Sequence, residues 1–225
     1  MNVYAQITNK CNMTCAHCCF SCTAKGHDMS QDIFDLCLKT AKDYGASICI
    51  GGGEPTLHPK FKQFLFQAMT ETIDNDSEEV VDLTTNGSNR ELALMLAKMA
   101  KKGWITCRLS NDQYHDPIDP LVVKAFTRDN QMISRGEHDG RGINNNKNSH
   151  IAVGRGKKLS GGDKTGCPCE SLFVSPIGIV SPCGCRKSKL GKLGEINLPS
   201  YLRDGLCEKS EDFRDFKKEW EKSQA

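Results

Sequence analysis

Long apolar runs are missing from this chain. Its 225 residues hold no stretch near the roughly 20 apolar residues that a membrane helix needs, so no membrane partner is expected. An excess of either charge is also missing. Thirty Lys and Arg stand against 28 Asp and Glu, a net of +2, which excludes a chain-wide electrostatic grip on nucleic acid or lipid. The start shows no basic segment followed by an apolar one, so no secretory signal is read and a cytoplasmic location is expected. Apolar residues make up 38%, a low share that still supports one domain with a core and a small appendage. Cysteine is the residue in excess, at 13. An odd count cannot pair completely, and in a reducing compartment such a number points to metal ligation rather than disulfides.

Three of those thiols open the chain. Residues 3–8 are short, partly alternating and β-prone, and read as a first strand. Cys11, Cys15 and Cys18 follow in a C-x-x-x-C-x-x-C spacing, on the loop that leaves the strand's C-terminal end. Thiolate is the ligand of iron–sulfur clusters. Three thiolates hold three irons of a 4Fe–4S cube and leave the fourth open to a substrate or cosubstrate. Zinc with a fourth ligand from elsewhere is the alternative. Cys15, Cys19 and Cys22 repeat the same spacing in an overlapping frame. The first frame is preferred because it follows the strand directly, and Cys19 and Cys22 are taken as bystanders.

The cysteine motif, on that loop, resembles the radical S-adenosylmethionine (radical SAM) superfamily. The resemblance implies that the open iron chelates the amino and carboxylate groups of SAM. The reduced cluster then splits SAM to methionine and a 5′-deoxyadenosyl radical. The family usually has an aromatic ring before the third cysteine, a place His17 can fill.

The next segments support that reading. Ser30 is a candidate N-cap for a helix to residue 44, with Ile33, Phe34, Cys37, Leu38 and Ala41 on one face. Residues 46–50 read as a buried second strand ending in Gly51-Gly52-Gly53-Glu54-Pro55. Glycines there permit close backbone approach or positive φ. Gly52, Gly53 and Glu54 are similar to the family's GGE motif, which meets the SAM amino group; Glu54 either accepts from that group or organises the loop. A helix within residues 56–74 follows, then a third strand at 80–84 closed by Thr85-Asn86-Gly87, a pattern that recurs near SAM in the family. A Leu-, Ala- and Lys-rich helix covers 91–102. A fourth strand at 105–109 delivers Ser110 and Asp112, which the resemblance implies contact the SAM ribose; Tyr114 and His115 are candidates to face substrate, and all four residues read equally as a capping and turn segment before the next helix. A helix at 117–126 ends this part.

Strands alternating with helices argue for a parallel sheet. The fold expected is α/β: a partial (β/α)6 TIM-type barrel with ligating residues at the C-terminal strand ends, plus a small C-terminal β-hairpin cysteine-rich extension. Residues 1–134 form the core. Residues 135–165 are basic and Gly/Asn-rich. Strands five and six are expected within this stretch and just before it, near 131–133 and 150–153, with the rest a loop over the barrel mouth that grips an anionic substrate or a solvated connector. Residues 166–210 carry Cys167 and Cys169, an apolar hairpin turning at Pro176-Ile177-Gly178, then Cys183 and Cys185. A hairpin brings its ends together, so four thiols converge and can hold a second cluster or a zinc. The spacing is similar to the twitch form of the SPASM extension, which implies one auxiliary 4Fe–4S cluster; Cys207 is a further candidate ligand. Residues 211–225 read as a charged helix.

The activity this implies is hydrogen-atom abstraction from a small-molecule or peptide substrate, with an electron donor such as flavodoxin or ferredoxin. A nucleotide or nucleic-acid base is the second substrate reading. A non-catalytic zinc or iron–sulfur module is the rival, and it leaves the Gly-Gly-Glu-Pro unexplained.

Overall fold

A computed structural model of the chain describes residues 2–74, 80–128, 139–145, 151–161, 171–198 and 222. One eight-stranded sheet organises them, in the order β5-β4-β3-β2-β1-β6-β7-β8. Strand β1 (Asn2–Thr8) lies inside it, with β2 (Ser47–Gly52) on one side and β6 (Ser171–Val174) on the other, both parallel to it. Strands β3 (Asp82–Thr85), β4 (Thr106–Ser110) and β5 (Arg141–Asn144) continue the parallel set beyond β2. Strands β7 (Ile179–Ser181) and β8 (Gly191–Lys192) add antiparallel at the other end.

The helices form where the sequence supplies both a cap and an apolar stripe. Ser30 accepts from the Ile33 amide and starts α1 (Gln31–Asp43), whose Phe34, Cys37, Leu38 and Ala41 are buried. A 3-10 turn (Pro55–Leu57) leads to α2 (Phe61–Asp74). Phe34 and Phe64 stack at 4.1 Å between centroids and lock α1 to α2. Asn89 caps α3 (Arg90–Lys101), and Asp119 followed by Pro120 starts α4 (Pro120–Phe126). Side chains alternate along β1. Val3, Ala5 and Ile7 are wholly buried in the main core, while Gln6 and Thr8 are the buried polar residues of the opposite face.

Because β1 to β4 are parallel, their C-terminal ends lie along one edge of the sheet. The loops carrying the cysteines, the glycines, Asn86 and Asp112 all leave from that edge. Four βα units and six parallel strands agree with the expected partial barrel. Two placements differ. The fifth strand is Arg141–Asn144, and residues 151–153 form no named strand but lead into a 3-10 turn at Gly154–Lys158; residues 131–133 and 150 lie outside those described. The strand at 141–144 forms despite a weak apolar pattern because Arg141 is anchored: its guanidinium pairs with Asp139 and donates to the Ala125 carbonyl. The sixth parallel strand is the first arm of the hairpin, so this hairpin is continuous with the barrel sheet rather than appended to it. Cys167, Cys169, Cys207 and residues 211–221 lie outside the described residues.

Candidate functional site

The loop after β1 is held from three sides. At its base, the Thr8 hydroxyl donates to Asp28 at 2.7 Å, the Cys11 amide donates to the Thr23 carbonyl at 2.7 Å, and Lys10 pairs with Asp28. The second side is the β2 end. The Gly53 and Glu54 amides donate to the carbonyls of Thr8 and Lys10 at 2.8 and 2.9 Å. A Cβ on Gly53 would lie 2.2 Å from the Lys10 carbonyl oxygen. Gly51, Gly52 and Gly53 take no positive φ, so this motif is glycine for close chain approach alone. The third side is the 3-10 turn. Arg155 donates from Nε to the Cys15 carbonyl at 2.9 Å and from Nη1 to the Cys22 carbonyl at 2.7 Å, and its amide donates to the Cys18 carbonyl at 3.0 Å.

Glu54 is fully buried and satisfied by this protein. Its Oε1 accepts from the Thr56 amide (3.2 Å), the Thr56 hydroxyl (2.6 Å) and the Thr85 hydroxyl (2.8 Å), and its Oε2 from the Asn86 amide (2.6 Å). Burial pushes its carboxyl above the ordinary value, against the pull of those four donors. Of the two roles open from sequence, organising the loop is the one the geometry provides: Glu54 ties the end of β2 to the end of β3. Asn86 extends the tie, its Nδ2 donating to the Asn12 side chain at 3.0 Å and lying 3.8 Å from the Cys11 sulfur.

Past β4, Asp112 accepts from His115 Nδ1 at 2.8 Å and from the Tyr114 amide at 2.9 Å. His17 Nε2 is 3.5 Å from its other oxygen. The Tyr114 ring packs tilted on His17 at 4.7 Å between centroids. The cavity itself is ≈ 370 Å³, and Cys11, Cys15, Cys18, Gly52, Gly53, Glu54, Asn86, Ser110, Asp112 and His115 all line it.

Five thiols crowd this loop, and they separate. Cys22 is buried against Cys11, Met13, Cys15 and Cys18. A hydrogen bond with Cys22 draws the Cys18 thiol below its ordinary value, while burial lifts that of Cys15 to about 11. Cys19 borders the cavity with Cys11, Cys15 and Cys18 and also packs against Cys183, Cys185 and Val153. Ser21, between Cys19 and Cys22, takes a left-handed φ of 55°. No sequence signal distinguished them, because the two frames have identical spacing. The clamp that Arg155, from the basic stretch, places on the cysteine loop was also missed.

The donor chemistry fits an iron–sulfur cluster. Three thiols lie on one side of a cavity roomy enough for a cosubstrate, and the backbone around them is rigidly pinned. A tetrahedral zinc gathers its sulfurs to about 3.8 Å, from Zn–S bonds of about 2.3 Å. Among the described residues, the one trio of metal-capable groups gathered within 4.8 Å is His17, Asp112 and His115.

A mostly parallel α/β sheet with such a thiol loop at its C-terminal edge defines a radical SAM class of protein. Residues 5–119, half of the chain, match the family model described as the radical SAM superfamily, and the chain belongs to that superfamily. Membership implies a 4Fe–4S cluster and SAM as its cofactors. A "Probable GTP 3′,8-cyclase" of Methanocaldococcus jannaschii is 32% identical over 129 residues, which cover 54% of this chain and 38% of that protein. One of the same name from Methanosarcina acetivorans is 32% identical over 66 residues, 26% of this chain and 20% of its own length. The matched stretches thus span well under half of those relatives. Two solved structures share the fold. BtrN in complex with AdoMet and 2-DOIA has a TM-score of 0.61 at 16% identity, with 96% of this chain and 85% of that one covered. The anSMEcpe structure with AdoMet and the Cp18Cys peptide has a TM-score of 0.57 at 13% identity, with 96% and 81% covered. Among the described residues no helix is long and apolar enough to cross a membrane.

Proposed function

We propose that this chain cleaves SAM reductively in the cavity above β1 to β4 and uses the product to take a hydrogen atom from a small substrate. The observation that carries the reading is the convergence of Cys11, Cys15 and Cys18 with the Gly52–Glu54 end of β2 on one cavity. Cys11, Cys15 and Cys18 would hold the cluster, and the backbone of Gly52 and Gly53 would border the methionine end of SAM. Ser110 and Asp112 would face its ribose, with Asp112 oriented by His115. Glu54 and Asn86 position these loops, and His115 reaches the substrate side. When bound, the cluster and SAM supply a 5′-deoxyadenosyl radical; the protein supplies orientation and shelter from water.

A nucleotide is the substrate class favoured by the names of the two relatives. A peptide is the second reading, and a flavodoxin- or ferredoxin-like protein would deliver the electron. Residues 1–134 would be the SAM core and 135–165 a basic Gly/Asn-rich loop with the compressed end of the barrel. Residues 166–210 would carry a second metal centre drawing on Cys167, Cys169, Cys183 and Cys185, ahead of a terminal helix at 211–225. The burial of Cys183 and Cys185 supports that centre, as does the Cys185 amide 3.4 Å from the Cys183 sulfur, an arrangement repeated by Met13 on Cys11. The test is anaerobic incubation with SAM and dithionite. Formation of 5′-deoxyadenosine is expected, stimulated by a nucleotide and absent from Cys15→Ala; a fully iron-loaded protein that forms none refutes the reading.

A further inference from the structure

We infer that Cys19, Cys183 and Cys185 are ligands of one metal centre, separate from the centre of Cys11, Cys15 and Cys18. The inference rests on the second-centre reading above and assigns it a ligand from the opposite end of the chain. Cys19 packs against Cys183 and Cys185 in a small buried cluster closed by Val153 and Ile151. Its peptide is fastened there. The Arg186 guanidinium, stacked 5.0 Å over Phe20 and 5.5 Å over Phe173, donates to the Cys19 carbonyl at 3.3 Å. Gly154 passes so close that a Cβ would meet the Cys19 carbonyl oxygen at 2.2 Å.

The backbone is bent to make this arrangement. Ser21 and Arg186 are the two non-glycine residues with positive φ among those described, at 55° and 54°. One lies two residues after Cys19, the other directly after Cys185. Left-handed conformations at such residues cost free energy and persist where surrounding structure requires them. Ser21 lies between Cys19 and Cys22, which pack in different clusters, and Arg186 is the residue whose guanidinium holds the Cys19 carbonyl. Thiols that are buried, grouped and fixed by strained backbone suit a soft metal held by thiolates. The consequence is that adjacent residues, Cys18 and Cys19, serve different centres, so one peptide bond joins them.

The test uses the full chain carrying Cys11/Cys15/Cys18→Ala, reconstituted without oxygen, in which only the second centre can load. Iron, sulfide and zinc are measured per chain. Adding Cys19→Ala or Cys19→Ser is expected to remove the remaining metal, whichever it is, while Cys22→Ala leaves it unchanged. Retention of full metal by both Cys19 variants, with native circular dichroism, overturns the inference. If the variants unfold, thiol mapping on the triple variant decides. Cys19 should be shielded from iodoacetamide with metal bound and labelled after chelation, together with Cys183 and Cys185; equal labelling in both states overturns the inference. A triple variant that binds no metal refutes the second centre itself and leaves SAM cleavage by the first centre standing.

Discussion

Cys11, Cys15 and Cys18 leave a strand deep within the sheet, with parallel partners on both sides, whereas Cys183 and Cys185 follow β7, one strand from the sheet's end. Around the first group, regular βα units deliver most neighbours, Glu54 from β2, Asn86 from β3 and Asp112 from β4, with Arg155 added from the 154–158 turn. Around the second, among the described residues, contacts come from irregular chain, namely Val153, Arg186 and the Cys19 peptide. A frame of strands and capped helices thus sets the first group whether or not metal is present. The second group is set largely by the first group's own loop. Metal binding should therefore contribute more to order in the second region than in the first.

Mutations at the first group should give the largest effects and test whether the frame stands without metal. Cys11/Cys15/Cys18→Ala should abolish 5′-deoxyadenosine formation, remove the iron of that cluster (roughly half of the total if the hairpin region holds a cluster of its own), and leave the far-UV circular dichroism intact. Loss of fold in that variant would break the comparison. Glu54→Gln comes next. It replaces one acceptor oxygen with a donor facing groups that already donate, and should cost about 1–3 kcal/mol in denaturant unfolding. Its loss of SAM affinity should exceed that of Ser110→Ala, because two loop ends are released at once.

Arg155→Met links the two regions. It leaves the carbonyls of Cys15 and Cys22 without their guanidinium partner, at about 1–3 kcal/mol, and should lower Tm by several degrees. Cluster loss in air should be faster in both centres, which absorption at the cluster band would follow. The smallest effect concerns the frame alone. His58 is buried, its Nε2 3.0 Å from the Met29 carbonyl, and burial lowers its pKa below the ordinary value. Protonation is then easier in the unfolded chain than in the folded one. Its contribution is present in full above about pH 6.5 and is lost as pH falls through the lowered folded value. Urea titrations at pH 7.5 and 5 should show that drop, and His58→Gln should flatten it.

The first region was legible because its signals are local. Ser30 caps a helix whose apolar stripe repeats every turn, and the cysteine and glycine motifs each follow a patterned strand. The rest was not, for reasons of distance and of pattern. Arg155 reaches Cys15 across 140 positions of sequence, and no local pattern announces such a contact. Strand β5 holds only Arg-Gly-Ile-Asn and is fixed by Asp139 and Ala125 rather than by alternation. The pairing of β6 with β1 is equally non-local, so the hairpin was foreseen and its place in the sheet was not. The identical spacing of the two cysteine frames concealed the different packing of Cys19 and Cys22.

The central claim is that the Cys11, Cys15 and Cys18 loop presents a cluster with one iron open to SAM. Electron–nuclear double resonance on the dithionite-reduced protein, with SAM labelled by nitrogen-15 at its amino group, tests it directly. The account predicts a nitrogen-15 coupling to the reduced cluster that vanishes in Cys11/Cys15/Cys18→Ala and persists in Cys183→Ala. A fully loaded, reduced protein with SAM in excess and no such coupling would contradict it.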